Sequence, residues 1–104
     1  MSHNSQLMKG ILEGCILLLI AKEEVYGYQI SMKLKQFGFS DISEGSIYPI
    51  LLRMQKEKWI LGEFKPSAVG PQRKYYYITA AGKQKILHFK HEWQTIKQAV
   101  DLML

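Results

Sequence analysis

Apolar residues recur at helical spacing along the first half of the chain. After a polar N-terminal tail, residues 6–22 carry apolar side chains on more than one face, which predicts a helix buried on two sides. Ile30, Leu34 and Phe37 then predict a second helix that ends at Gly38. A short polar break, residues 22–24, separates the two stretches.

A third helix is predicted after a short link, residues 39–43. Ile47, Leu51 and Met54 follow one another at i, i+4 and i+7, which places them on one buried face. The other side of this helix carries hydroxyl groups and positive charge: Ser46, Tyr48, Arg53 and Lys56. Such a helix fits a DNA major groove, and it is also typical of an ordinary amphipathic surface helix.

Two serines compete to begin this third helix. With Ser43 as the N-cap, Pro49 falls in the second turn and removes a helical hydrogen bond. With Ser46 as the N-cap, Pro49 falls in the first turn, where its missing amide is harmless. We therefore expect a loose first turn and a regular helix from about Ser46.

The spacing of the apolar residues is no longer helical after the third helix. Residues 59–65 and 72–78 are rich in aromatic and branched side chains, and a loop bracketed by Pro66 and Pro71 separates them. This pattern predicts a two-stranded hairpin. Two helices followed by a basic hairpin are the order of a winged helix-turn-helix, so the expected fold class is mostly α with a small β-hairpin, plus a C-terminal helix.

Thr79 is placed to cap that last helix, whose apolar residues alternate spacings of three and four. They are Ile86, Phe89, Trp93, Ile96, Val100 and Met103. Packing on the chain's own domain is one interpretation. We favour a homodimer interface made by this seam together with Leu12, Ile16 and Leu19 of the first helix. Residues 1–78 would then be the DNA-binding domain and 79–104 the dimerisation helix of one compact unit.

Composition narrows the class of protein. The 104 residues suffice for one small domain, and 14 Lys and Arg exceed 9 Asp and Glu. Residues 64–91 hold six basic residues and no acidic one, a block that favours phosphate as a partner. The single cysteine, Cys15, is expected in the core and fits a reducing cytoplasm. The apolar run 15–21 is too short to span a bilayer.

Four stretches of the sequence resemble the PadR family of bacterial transcriptional regulators. They are MKGILEG at 8–14, YGYQI at 26–30, SEGSIYPILLRMQKE at 43–57, and GPQRKYY at 70–76 continuing into ITAAG at 78–82. The resemblance implies a dimeric winged-helix repressor of the short subfamily, which ends in one C-terminal helix. The sequence departs from the family's pattern at two places. Lys58-Trp59 stands where the family often has a junction that contains glycine, and Gln72 and Tyr77 of the wing stand where the family frequently has arginine.

Eight residues are the candidate DNA contacts. Ser46, Tyr48 and Arg53 would face phosphates or base edges from the third helix, Tyr28 and Gln29 would hold phosphate, and Lys65, Arg73 and Lys74 would act from the wing. Structural alternatives remain open: Tyr48 packed on the helix pair, and Lys65 merely solvated.

A small-molecule site is a second candidate, at the dimer seam. Trp93, with Phe89 and Ile96 beside it, lies mid-helix, and some members of the resembled family bind flat aromatic ligands between such tryptophans. The alternative is that Trp93 only fills the interface. An aromatic or hydrophobic effector is thus a possible partner besides double-stranded DNA and a second copy of the chain.

Other classes of function are less well supported by the sequence. No Ser/His/Asp or Cys/His constellation is recognisable, and His3, His88 and His91 do not make a set of zinc ligands, so we expect no enzyme, no metal and no cofactor. The basic, amphipathic last helix leaves a membrane-surface role open. The basic hairpin argues against it, because a membrane binder does not need one. A winged helix that serves RNA or protein contacts is a further alternative.

Overall fold

The computed structural model describes residues 5–39 and 42–104. Its elements are α1 (Ser5–Lys22), β1 (Val25–Tyr26), α2 (Gly27–Gln36), α3 (Glu44–Lys56), β2 (Ile60–Lys65), β3 (Arg73–Ile78) and α4 (Ala80–Met103). The four predicted helices and the predicted hairpin are confirmed. The predicted N-terminal tail, including His3, and residues 40 and 41 of the predicted link lie outside the described residues. Within the described ranges, no helix is both long and apolar enough to cross a membrane.

One hydrophobic core joins all four helices to the sheet. Ile16 and Leu17 of α1 are fully buried, and they share the core with Ile30 of α2 and Ile47 of α3. The predicted apolar face of α3 is confirmed, because Leu51 and Met54 complete the same buried stripe as Ile47. Cys15 differs from the prediction, since it is half-buried at the edge of the core. Burial still raises the pKa of its thiol.

The start of α3 corrects the preference for Ser46. The helix begins at Glu44 with Ser43 at the N-cap position, and the Ser43 carbonyl accepts from the amides of Ser46 and Ile47 at 3.0 and 3.2 Å. Pro49 therefore lies inside the helix. Its missing amide leaves the carbonyl of Gly45 without its helical partner. Both Gly45 and Pro49 are on the exposed side, where water can satisfy that carbonyl, so the proline is tolerated.

The sheet has a third strand that the sequence did not reveal. Its order is β1-β3-β2, all antiparallel. The hairpin register runs from Ile60 opposite Ile78 to Lys65 opposite Arg73, and Val25 of β1 lies opposite Tyr76. The wing is therefore anchored to the chain entering α2, and it is more than the predicted two-stranded hairpin.

The end of α3 is bound to the start of α4. Lys58 adopts a left-handed conformation (φ 64°), which turns the chain into β2. The Thr79 hydroxyl donates toward the carbonyls of Lys58 and Trp59 (2.6 and 2.9 Å) and accepts from the Gly82 amide, which confirms the predicted cap. A Cβ on Gly82 would lie 2.1 Å from the Trp59 carbonyl oxygen. The absence of a side chain at Gly82 therefore lets the backbone of α4 lie directly against this turn.

Only the first part of α4 packs on its own domain. Ile86 is buried, and the half-buried Phe89 ring lies directly on Gly14 of α1, where a Cβ would come within 2.4 Å of it. From His91 to the end, every residue of α4 is exposed. The helix therefore extends beyond the body of the chain.

Candidate nucleic-acid interface

A groove lies between the start of α2, the flank of α3 and the wing strand β3. It has a volume of about 350 Å³. Its lining residues, which we call the tyrosine groove, are Tyr26, Gly27, Tyr28, Tyr48, Gln72, Arg73, Lys74 and Tyr76. Four of the eight predicted DNA contacts thus come together in one place, although they are spread over 47 positions of the chain, from Tyr28 to Lys74.

Tyr48 joins the helices and also faces solvent. A Cβ on Gly27 would lie 2.7 Å from the Tyr48 ring, so the absence of a side chain there lets the ring lie against the start of α2. The residue is nevertheless 47% exposed. Tyr48 therefore packs on the helix pair, and its role as a DNA contact stays a prediction. Burial, and the nearby Tyr48, raise the pKa of Tyr76 at the base of the groove, so the Tyr76 hydroxyl is neutral near pH 7.

Arg73 and Lys74 supply the positive charge of the groove. The Arg73 guanidinium lies over the Tyr26 ring, 4.5 Å from its centroid, and the Lys74 ammonium lies 5.6 Å from the centroid of Phe64. Among the described residues, neither side chain forms an ion pair with a carboxylate. Both cations are thus held in place by aromatic rings while their charge stays available to an anion.

Lys65 is in a different situation on the same wing. Its ammonium lies 3.0 and 2.9 Å from the two carboxylate oxygens of Glu24. Hydrogen bonding to Tyr77 and to Glu24 raises the pKa of Lys65, and the bond from Lys65 lowers the pKa of the Glu24 carboxyl. The structure therefore uses Lys65 to hold the wing to the segment before β1.

Arg53 is likewise committed within the chain. Its guanidinium forms an ion pair with Glu13 of α1 and lies 5.5 Å from the centroid of the Trp59 ring. Lys85 of α4 approaches the same ring at 4.7 Å. Arg53 thus connects α3 to α1 and to the turn that carries α4. Sequence reasoning could not anticipate this, because its partner is 40 positions away.

Gln29 and Ser46 occupy the starts of the two helices. The Gln29 side-chain oxygen accepts from the Tyr26 amide at 3.2 Å, so this side chain closes the first turn of α2. Ser46 is exposed, 3.3 Å from the Ser43 hydroxyl. The outer face of α3 also includes exposed residues that were not predicted as contacts: Gly45, Pro49, Leu52 and Lys56. They lie opposite the buried stripe, which is the signal that would have identified them.

The predicted dimer interface divides into two parts. Leu12, Ile16, Leu19 and Ile86 are buried inside their own chain and offer no surface to a second copy. Trp93, Ile96, Val100 and Met103 are exposed and lie along one side of α4, and we call them the α4 stripe. Phe89 lies between the two parts, half-buried against Gly14. The predicted effector residues Trp93 and Ile96 therefore belong to the exposed part.

Several known proteins are similar along almost the whole chain. A PadR-like transcriptional regulator from Bacillus cereus is 54% identical, with a TM-score of 0.86 over 94% of this chain and 95% of its own. A Streptococcus transcriptional regulator is 40% identical, with a TM-score of 0.84 over 94% of this chain and 96% of its own. An uncharacterised protein from Lysinibacillus sphaericus is 31% identical, covering 96% and 94% of the two chains.

A family model gives the same assignment. The model described as the transcriptional regulator PadR-like family matches residues 16–88, which include the tyrosine groove and the whole of α3. The fold, four helices with a three-stranded antiparallel sheet, is the winged helix of these structures. The chain belongs to the PadR-like family of transcriptional regulators.

Proposed function

We propose that this protein is a homodimeric repressor that binds a promoter operator in double-stranded DNA. The observation that carries the proposal is the tyrosine groove, in which Tyr28 and Tyr48 lie beside Arg73 and Lys74. Hydroxyl groups and cations that have no ion-pair partner among the described residues lie along one concave surface, which suits the phosphates of a nucleic acid backbone. In this proposal residues 1–78 form the DNA-binding domain and residues 79–104 the dimerisation helix.

The recognition helix is α3. Its exposed side carries Ser46 at the start and Lys56 at the end, and its 13 residues span about 20 Å, a length that a major groove accepts. The tyrosine groove lies beside it and would seat the adjacent backbone. Arg53 is not among the proposed contacts, because Glu13 already neutralises its charge.

The α4 stripe supports the dimer. Its side chains are exposed in the single chain, with Trp93 at 43% and Ile96 at 56%, and burying them against a second copy would remove apolar surface from water. A two-fold dimer also fits the pseudo-palindromic sites that helix-turn-helix proteins bind.

An aromatic effector at the stripe would relieve repression in this proposal. Trp93, Phe89 and Ile96 offer an apolar platform where the two-fold axis of the proposed dimer would bring Trp93 near its mate. Planar aromatic compounds should quench tryptophan fluorescence of the wild type, and the Trp93→Ala dimer should lose that quenching although Trp59 remains. Equal quenching in both proteins would contradict an effector site at Trp93.

The central experiment measures fluorescence anisotropy of a labelled duplex taken from upstream of the protein's own gene, with unrelated duplex as competitor, over a salt series. We expect binding that resists the competitor and weakens by orders of magnitude from low to physiological salt. Equal, weak binding to both duplexes would contradict the proposal. It would favour the alternative, a basic amphipathic module for membrane surfaces or protein partners.

A further inference from the structure

Phe64 is an exposed aromatic residue on the side of the wing that faces α3. It is 62% exposed, and its position in the sheet is fixed by its cross-strand neighbour Lys74, whose ammonium lies 5.6 Å from the ring centroid. Two positions earlier on the same face is Gly62. A Cβ there would meet the Lys74 Cε at 2.3 Å and the Gln55 side-chain oxygen at 3.0 Å. Because Gln55 belongs to α3, this face of β2 is the one turned toward the recognition helix.

The alternation of the strand separates two kinds of surface. Leu61, Glu63 and Lys65 point to the opposite face, where Lys65 lies 5.4 Å from the ring centroids of Tyr75 and Tyr77. On the face of Phe64, the Lys74 side chain lies over Gly62, and the ring projects beside it toward solvent. The exposed ring thus lies next to a cation that forms no ion pair within residues 5–39 and 42–104, and such a surface matches a partner that alternates apolar and anionic groups.

We propose that Phe64 packs against the deoxyribose walls of the DNA minor groove beside the major-groove site of α3, while Lys74 reaches the adjacent phosphate. The inference rests on the proposed function and deepens it. Apolar side chains are used in minor grooves because the sugars lining them are apolar and the ring excludes water there. The minor groove distinguishes base pairs poorly, so Phe64 would sense the width and deformability of the flanking DNA.

The salt dependence separates this contact from the charged ones. Only cations that neutralise phosphate release counterions, so an apolar contact adds affinity without adding to the slope of log K against log salt. Phe64→Ala should therefore weaken operator binding about tenfold at every salt concentration, with an unchanged slope. Phe64→Leu, which keeps an apolar side chain, should retain most of the affinity. Lys74→Ala should reduce the slope.

Leu61→Ala is the matched control. Leu61 lies on the same strand at 56% exposure, on the opposite face, so its truncation removes a similar apolar side chain away from the proposed contact. We expect wild-type affinity for Leu61→Ala and wild-type thermal unfolding for both alanine variants, since both positions are exposed.

Four outcomes would overturn the inference. Wild-type affinity of Phe64→Ala, or an equal loss in Leu61→Ala, would remove the specific contact and leave the proposed function intact. A reduced salt slope in Phe64→Ala would mean that the substitution acts by displacing Lys74. Failure of the wild type itself to bind operator duplex would overturn the proposed function and this inference together.

Discussion

The tyrosine groove and the α4 stripe both expose aromatic side chains, but their surroundings are opposite. In the groove, Arg73 lies over the Tyr26 ring and Tyr48 is 47% exposed. On the stripe, Trp93 and Ile96 are followed by further apolar residues, and in the described part of the chain no cation lies over Trp93. Exposed aromatic area alone therefore does not identify a partner. The charges around the rings differ between the two surfaces, and under the proposed function they suit a polyanion at the groove and an apolar partner at the stripe.

The largest expected effect comes from placing a charge on the α4 stripe. Ile96→Asp should weaken dimerisation by roughly a hundredfold or more, because an unpaired carboxylate would have to be buried at the proposed interface. Sedimentation equilibrium measures the change. Leu102→Asp is the control, since Leu102 is even more exposed, at 90%, but lies on the other side of the helix. If both variants dimerise like the wild type, the stripe is not the interface.

Removing positive charge from the tyrosine groove should change the salt dependence of DNA binding. Arg73→Ala combined with Lys74→Ala should reduce the salt slope of DNA binding by about 2 per subunit, because each cation that neutralises a phosphate contributes about 0.9. Arg53→Ala should leave the slope unchanged, since Glu13 neutralises that guanidinium within the chain. Anisotropy titrations over a salt series measure both. An unchanged slope in the double variant would exclude the wing from the DNA interface.

The junction between the two regions offers a smaller effect on stability. Lys58→Gly should stabilise the fold by about 0.5–1 kcal/mol, because the left-handed conformation costs a non-glycine residue about 1–2 kcal/mol, more than the extra chain entropy that glycine loses. Thermal or denaturant unfolding measures it. Lys56→Gly, in the last turn of α3, should instead destabilise the protein. Destabilisation by Lys58→Gly would show that the lysine side chain compensates for its strained backbone.

The smallest effect on stability is expected from the loss of the ion pair by which Glu24 holds the wing. The lowered pKa of Glu24 means that its ion pair with Lys65 stabilises the fold at neutral pH, and that this contribution is lost as the pH falls through the lowered value. Glu24→Gln should therefore unfold at a slightly lower temperature than the wild type near pH 7 and at the same temperature in strong acid. Glu63→Gln, exposed on the same sheet face, is the control. A difference that persists in acid would have a cause other than the ion pair.

Periodic signals predicted most of the fold. The buried stripe of α3 and the two strands of the hairpin repeat over several turns or residues, so their patterns are readable. β1 has only two residues, which is too few to show alternation. The predicted start of α3 at about Ser46 was wrong. The prediction assumed that a proline inside the helix would be destabilising, but the carbonyl that loses its hydrogen bond lies on the exposed side.

Pairing between distant residues limited the prediction of the site. The order of helices and strands brings four of the predicted contacts together in the groove: Tyr28, Tyr48, Arg73 and Lys74. Arg53 and Lys65 look identical in the sequence to free basic residues, and only the folded chain brings Glu13 and Glu24 against them. In the same way, the apolar faces of α1 show that Leu12 and Ile16 are buried but not which surface buries them.

The hydrogen bonds of Thr79 fix the start of α4 to the turn that follows α3, and Ile86 and Phe89 then hold the first half of the helix on the body of the chain. The exposed part of α4, residues 91–103, is about 20 Å long, so a tilt of about 5° where it leaves the domain moves its far end by about 2 Å. A shift of about 2 Å at the exposed end therefore corresponds to a rotation of about 5° near the Phe89 contact, and the packed first half of the helix lies between that rotation and the Lys58-Trp59 turn.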